Sequence, residues 1–278
     1  MFSRSVGTPV ALILWFALAE PSVAQGVTSL ASGAVVRPAG PDSSVVHHRH
    51  RSRRTRRAAA DTTVLLEVEA GYDGNFQASA LTRDQSSALS VVLTPTSRIV
   101  LQADIDVWAS QLAPPQHAIH GHGDTRLTLQ STLRAGRPGQ VSIGVAYEIK
   151  LPTARPDSLG SGRVDHRLLP LFSLSSRRFE LDLTVGIDAN GRPDGLDWGA
   201  EGAVTLTLPM SSKVTAHVAW SGQTIDTDQP AGHYASGGVT WQLNTLLGLD
   251  LGGRLGLSPR APAFGFTAGV TAAILHPR

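Results

Sequence analysis

The stretch Val141-Ser-Ile-Gly-Val-Ala-Tyr-Glu-Ile-Lys-Leu151 has an apolar side chain at every odd-numbered position. Residues 178–188, Arg-Phe-Glu-Leu-Asp-Leu-Thr-Val-Gly-Ile-Asp, repeat this pattern, with acids and threonine between most of the apolar residues. Alternation with a period of two indicates a β-strand that has one apolar face and one polar face. Both segments are therefore predicted to be strands that separate two different environments.

Twelve segments from Thr62 onward carry this alternation, and none shows a convincing helical period. Most are close to the ~9–11 residues that cross a bilayer at a tilt, whereas strands of soluble sheets average roughly 5–6 residues. We therefore predict an all-β fold, namely a transmembrane antiparallel up-and-down β-barrel of about 12 strands. The predicted strands cover residues 62–72, 86–94, 98–109, 124–135, 139–151, 166–175, 178–189, 199–208, 213–222, 233–243, 246–257 and 264–275.

The connections between these segments alternate in length. Short connections are expected at residues 95–97, 136–138, 176–177, 209–212 and 244–245, and long ones at 73–85, 110–123, 152–165, 190–198, 223–232 and 258–263. Outer-membrane barrels have tight periplasmic turns and longer extracellular loops. The alternation predicts that both ends of the barrel chain lie on the periplasmic side.

The N-terminal residues have the organisation of an export signal. Arg4 precedes an apolar run from Val10 to Ala19, and small residues follow up to an expected cleavage site after Ala24. The apolar run is about half the ~20 residues of a membrane-spanning helix, so residues 1–24 are predicted to be a signal peptide. The chain has no cysteine, which excludes disulfide scaffolds and thiol catalysis.

Residues 25–60 lack periodicity and are predicted to form a disordered basic leader ahead of a barrel domain at residues 61–278. Six arginines within the eleven residues 47–57 account for most of the basic character of the chain. Export argues against a nucleic-acid partner for this cluster. A tail that contacts membrane-surface anions and a spacer without a specific partner are both open interpretations.

The cost of placing charge in hydrocarbon decides which face of a strand points outward. If Glu180 and Asp182 faced lipid, each would cost up to about 2–4 kcal/mol at mid-depth, somewhat less for acids than for bases. The even-numbered face of residues 178–189 is therefore predicted to face the lumen. The same argument gives the lumen-facing candidates for solute selectivity: Glu67, Glu69, Asp104, Asp106, Arg126, Arg134, Glu148, Lys150, Glu180, Asp182 and His217.

Four stretches occur in a defined order: Gly121-His-Gly-Asp-Thr-Arg-Leu-Thr-Leu129, Tyr147-Glu-Ile-Lys-Leu-Pro-Thr-Ala154, Leu159-Gly-Ser-Gly-Arg-Val-Asp165 and Leu181-Asp-Leu-Thr-Val-Gly186. They resemble the outer-membrane proteins grouped as the "MetA pathway of phenol degradation" family. The resemblance covers roughly residues 121–191 and implies an outer-membrane barrel associated with uptake of hydrophobic or aromatic compounds. The residues that carry it are Gly123, Asp124, Lys150, Leu151, Pro152, Thr153, Gly160, Gly162 and Asp165. Ala154 stands where the family usually has glycine, and Ile187-Asp188 replaces its usual aromatic residue.

These motif residues also have a structural interpretation. Pro152 cannot donate to a strand ladder, and Gly160 and Gly162 permit turns with positive φ. Asp124 and Asp165 stand where strands follow long loops, so each is a candidate for capping or ion pairing at the barrel rim. Structural roles are favoured for all of them.

Three histidines lie close together in one predicted loop. His117, His120 and His122 precede Asp124, and imidazole with carboxylate suits zinc or copper. Spacing within a loop is weak evidence, because a metal site also needs ordered surrounding groups. A polar extracellular loop is the favoured interpretation, and we expect neither a bound metal nor a cofactor.

The function that we expect is a porin-like channel for passive uptake of small solutes, including hydrophobic or aromatic compounds. The expected partners are outer-membrane lipid, the solutes and the barrel-assembly machinery. A barrel enzyme that acts on membrane lipids is a rival hypothesis, but Gly-x-Ser-x-Gly is absent and His217 faces the lumen, so we expect no enzyme. A closed structural barrel and a soluble periplasmic lipid-binding barrel are two further hypotheses that the sequence leaves open.

Overall fold

The computed structural model describes residues 63–77, 82–112, 118–192, 195–224, 232–258, 261 and 263–277. The predicted signal peptide and basic leader, residues 1–60, lie outside this range. Among the described residues, no helix has the length and hydrophobicity needed to span a membrane. The strands are β1 (Thr63–Gln77), β2 (Thr82–Thr94), β3 (Ile99–Leu112), β4 (Ile119–Gly121), β5 (Thr125–Arg134), β6 (Val141–Leu151), β7 (Asp165–Ser175), β8 (Glu180–Arg192), β9 (Gly195–Pro209), β10 (Val214–Gln223), β11 (Gly232–Gln242), β12 (Leu247–Gly256) and β13 (Phe264–Pro277).

Twelve of these strands form a closed antiparallel ring. Each long strand pairs with its neighbours in the chain, and β1 closes the ring by pairing with β13 from Thr63 opposite Pro277 to Phe76 opposite Phe264. The short β4 pairs only with β3, at the end where the long loops lie. The predicted twelve-stranded up-and-down barrel is therefore confirmed, and among the described residues each of the twelve long strands is paired on both sides.

The two ends of the barrel differ in their connections, as the sequence predicts. The turns at residues 95–98, 135–140, 176–179, 210–213 and 243–246 are short, and Gly139 in the second of them has a φ of 85°. The connections at the opposite end include 152–164, which contains a short 3₁₀ helix at Asp157–Leu159. We call the first end the turn end and the second the loop end.

Two of the six predictions of a long loop are wrong, because the structure has paired strands over most of those residues. Strands β1 and β2 continue to Gln77 and from Thr82, and strands β8 and β9 continue to Arg192 and from Gly195. Residues 73–85 and 190–198 are therefore mostly two tall hairpins instead of loops. Their polar side chains suggested loops, but several point into the barrel and bond there, as described below.

Burial follows the strand alternation, with polar side chains inside and apolar ones outside. On β8, Glu180 and Asp188 are 8% and 1% exposed, whereas Leu183 and Ile187 are 41% and 54% exposed. The exposed apolar surface also carries large aromatic side chains: Tyr147, Phe172, Trp198, Trp220, Trp241, Phe264 and Phe266. An apolar outer face around a polar interior is the arrangement that a membrane-spanning barrel requires.

Candidate functional site

The lumen face of the barrel carries most of the charged residues that the sequence predicts there. Glu67, Glu69, Asp106, Lys150 and Glu180 are buried, and Asp104, Arg126, Glu148, Asp182 and His217 are half-buried. Arg134 differs, because the pairing of β5 with β6 shifts between Thr132 and Arg134 and aligns Arg134 with the outward-facing Ile143. Its side chain is exposed at the turn end, so Arg134 does not belong to the lumen-facing residues.

A charged cluster on β6 to β9 is centred on Arg167. Its Nη1 lies 3.1 Å from Glu148 Oε1, and its Nε lies 2.6 Å from Asp188 Oδ1 and 3.5 Å from Glu201 Oε1. All four side chains are at most 16% exposed. One guanidinium thus connects four consecutive strands, and the cluster carries three carboxylates for one base.

The sequence pattern does not single out Arg167, for a local reason. Strand β7 reads Asp-His-Arg-Leu-Leu-Pro-Leu-Phe-Ser-Leu-Ser and lacks a regular alternation. The inward positions of this strand include Leu169, which is 1% exposed, as well as Arg167. The odd and even positions of β7 therefore do not show by themselves which face points inward. The pairing of β7 with β6 and β8 does show it.

A second charged cluster joins β12 to β1 across β13. Arg254 Nη2 lies 2.7 Å from Asp73 Oδ1, and Arg254 Nε donates to Asn75 Oδ1 at 2.7 Å. Gly265 on the intervening β13 pairs with both Arg254 and Asn75. A Cβ at Gly265 would lie 2.5 Å from Asn75 Oδ1 and 2.7 Å from Arg254 Nε, so the absence of a side chain on β13 makes this contact possible.

The motif residues of the family resemblance meet at the loop end. Asp124 is 3% exposed, and its two carboxylate oxygens accept hydrogen bonds from the backbone N–H of Ala154 at 3.0 Å and of Ser161 at 3.1 Å. Gly160 lies against it, because a Cβ there would come within 2.5 Å of the carboxylate. His122 and Arg155 exchange backbone hydrogen bonds. Asp124 therefore ties the loop 152–164 to the start of β5.

The remaining motif residues extend this rim contact. Lys150 forms an ion pair with Asp165, which also accepts a hydrogen bond from the backbone N–H of Gly191 at 2.8 Å. Thr153 shares a hydrogen bond of 2.9 Å with Thr125. Leu151 ends β6, Pro152 follows it in an exposed position, and Gly162 has a φ of 66° with open space around it. The capping and ion-pairing interpretations of Asp124 and Asp165 agree with these contacts.

The lumen wall formed by β10 to β13 also contains a patch of small residues. Gly238 on β11 faces the lumen beside the ring of His217, and Gly252 pairs with Gly238 from β12. The neighbouring inward residue on β13 is Thr267. We call Gly238, Gly252 and Thr267 the small-residue wall, because none of the three has a large side chain; a Cβ at Gly238 would lie 2.6 Å from the ring of His217.

The predicted histidine loop does not form a metal site among the described residues. His120 stacks on Trp108 with 6.4 Å between the ring centres, and His122 is exposed. His117 lies outside the described residues. In the described part of the chain, no group of three or more metal-ligating side chains comes together.

Several solved structures of membrane barrels share this fold at low sequence identity. The COG4313 outer membrane channel from Pseudomonas putida F1 superposes with a TM-score of 0.59 and 14% identity, covering 77% of this chain and 96% of that one. The NanC porin gives a TM-score of 0.54 with 7% identity, over 74% and 98% of the two chains. The KdgM porin in complex with disordered oligogalacturonate gives 0.50 with 8% identity, over 74% and 98%. No curated protein sequence matches the chain.

The closed ring, the apolar outer face and the charged lumen define an outer-membrane β-barrel. The sequence profile of one family matches residues 53–274. The chain belongs to that family, which is described as the MetA-pathway of phenol degradation.

Proposed function

We propose that the protein is a passive channel for small solutes in the outer membrane, reached by export through its N-terminal signal. The observation that carries the proposal is the polar lumen inside an apolar outer face, because a polar interior can hold water where a packed apolar interior could not. The family description, which refers to phenol degradation, supports small aromatic compounds among the solutes. No covalent chemistry is proposed for the lumen residues.

The lumen charges favour neutral and cationic solutes over anionic ones. In the half next to the turn end, the described lumen face carries acids and neither lysine nor arginine. These acids are Glu67, Glu69, Glu180, Asp182 and Asp250, and Asp104 lies at the border of this half, opposite Arg126 on β5. Acidic side chains around a pore select for cations.

Neutral donors hold several of these acids in place. Asp104 accepts hydrogen bonds from Ser90 and from Gln102, the latter at 2.9 Å. Asp250 accepts from Thr240 at 2.5 Å and from Thr271 at 3.4 Å. A hydroxyl or an amide orients a carboxylate without cancelling its charge, so the negative field of this half persists.

The bases of the lumen lie nearer the loop end, where each contacts an acid. Arg126 lies 3.6 Å from Asp106, and Arg167 and Arg254 belong to the two clusters described above. Oligogalacturonate, the ligand named with the KdgM porin, is a polyanion. The acidic half of this lumen argues against a solute of that charge.

Planar-bilayer recording of the refolded mature chain tests both parts of the proposal. We expect stepwise currents, and a reversal potential in a KCl gradient that shows cation preference. The double variant Asp104→Asn/Asp250→Asn should conduct with a weaker preference, and Asp157→Asn, in an exposed loop, should behave as wild type. A silent membrane would refute the channel, whereas conduction with anion preference would refute only the charge argument.

A further inference from the structure

The turn end of the barrel carries a set of exposed cations that the channel function does not use. Four of the five short turns contain a basic residue, Arg134 adds another at the end of β5, and none of these turns contains an acid. We call this set the basic turn ring. Its members are Arg98, Arg134, Arg137, Arg177, Arg178 and Lys213, all of which are exposed.

Two exposed arginines at the loop end, Arg155 and Arg192, are paired with nearby acids, whereas in the described part of the chain the cations of the basic turn ring are not. Arg155 Nη1 lies 2.9 Å from Asp157 Oδ1, and Arg192 forms an ion pair with Asp197. Across the described residues, no member of the basic turn ring has a side-chain ion pair. The acids nearest in sequence, such as Glu180, point into the lumen and not toward the outer surface. The turn end therefore presents net positive charge on its outside.

The basic turn ring borders exposed apolar side chains. Leu133 is 63% exposed, Val141 45%, Met210 67% and Leu246 45%, each within a few residues of a short turn. Apolar residues of this kind sit in hydrocarbon at a membrane boundary, and long basic side chains beside them extend to the headgroup level. The basic turn ring and the exposed apolar side chains beside it are together complementary to a membrane with an apolar interior and a negatively charged headgroup layer.

We propose that the basic turn ring binds the headgroups of anionic phospholipids in the leaflet that surrounds the turn end. With the long loops outside the cell, that leaflet is the periplasmic one. Several separated guanidinium groups around a barrel circumference fit a ring of individual phosphate headgroups better than one compact ligand. Each lysine or arginine close to an anionic membrane surface strengthens binding to that surface by about 1 kcal/mol, which is about a fivefold increase in affinity.

Native mass spectrometry of the mature barrel tests this assignment. The protein is purified in detergent and exposed to equal amounts of phosphatidylglycerol and phosphatidylcholine, and the retained lipids are counted. We expect phosphatidylglycerol to be retained at least about fivefold more than phosphatidylcholine. The variant Arg98→Gln/Arg137→Gln/Arg177→Gln/Arg178→Gln/Lys213→Gln should lose this preference.

The matched control is Arg155→Gln/Arg163→Gln, which removes exposed arginines from the loop end and should keep the preference. Heat-dependent migration on a gel verifies that each barrel is folded, and Arg177→Gln/Arg178→Gln, confined to one turn, replaces the larger variant if that one does not fold. Equal retention of the two lipids by wild type would overturn the proposal. So would a preference that the turn variants keep, or one that the loop-end control loses equally. None of these outcomes depends on whether the barrel conducts.

Discussion

Arg254 on β12 and Asp73 on β1 are joined by a contact of 2.7 Å although β13 runs between their strands. The side chains are 7% and 10% exposed, and Asn75 accepts a second hydrogen bond from the same guanidinium. Asp73 and Arg254 are separated by 181 positions in the chain. The contact therefore ties the first strand of the ring to its last hairpin, at the seam where the barrel closes.

Replacing Arg254 with methionine should destabilise the barrel by about 3–5 kcal/mol, the range found when one partner of a buried ion pair is removed. The carboxylate of Asp73 would remain buried without its guanidinium. Urea unfolding in lipid vesicles, followed by tryptophan fluorescence, measures the change. Arg155→Met is the control, because its pair with Asp157 is exposed and should contribute at most about 1 kcal/mol. Equal losses in both variants would contradict the role assigned to the seam.

The substitution Gly265→Val should disrupt the same seam without removing a charged residue. Its added carbons would occupy the space between Asn75 and Arg254, where a Cβ already approaches atoms within 2.7 Å. We expect a lower urea midpoint than for Gly253→Val, whose Cβ would meet its nearest neighbour at 3.7 Å on the exposed face of β12. If both variants unfold at the same midpoint, the close approach across β13 is unimportant for stability.

Asp124→Ala should release the loop 152–164 from the rim while leaving the ring of strands intact. The backbone N–H groups of Ala154 and Ser161 would lose their acceptor, and an unpaired buried donor such as the N–H of Ala154 costs about 1–3 kcal/mol. Limited trypsin digestion should then cleave after Arg163 much faster than in wild type. Asp157→Ala, on the exposed 3₁₀ helix, should leave the cleavage rate unchanged. Unaltered protection in Asp124→Ala would show that the loop is held by other contacts.

The small-residue wall predicts where the lumen can be narrowed. Gly252 faces inward and Gly253 faces outward on the same strand, so the pair separates a lumen effect from an effect on β12. Gly252→Leu should lower single-channel conductance, because its side chain must displace the Thr267 hydroxyl, which would lie 2.8 Å from the added Cβ, and extend into the lumen. Gly253→Leu, directed toward lipid, should conduct as wild type does. Equal conductance of the two variants would show that the lumen is not limiting beside the small-residue wall.

Strand number and closure could be predicted from the sequence, because alternation on segments such as β6 and β8 is unbroken over a bilayer crossing. The inward placement of Glu67 and Glu180 followed from the cost of charge in lipid. The heights of the hairpins could not be predicted. Asp73 and Asn190 are polar, as loop residues usually are, yet they continue their strands on the inner face.

The misplacement of Arg134 and the omission of Arg167 have a common cause. Assigning faces from odd and even residue numbers assumes that the alternation is unbroken along the strand. The pairing of β5 with β6 shifts between Thr132 and Arg134, so the assumption fails there. On β7 both faces contain apolar residues, so the pattern carries no signal at Arg167. In each case the neighbouring strand determines the face, and that information appears only when the ring is assembled.

In a membrane channel of this kind, water should fill the lumen and hydrocarbon should cover the outer face. The chain has no cysteine, so single cysteines can be introduced at Gln130, which faces inward, and at Leu129, which is 49% exposed on the outer face. In barrels reconstituted into vesicles, a charged, membrane-impermeant maleimide should label Gln130→Cys and leave Leu129→Cys unmodified. Labelling of Leu129→Cys with protection of Gln130→Cys would contradict the account.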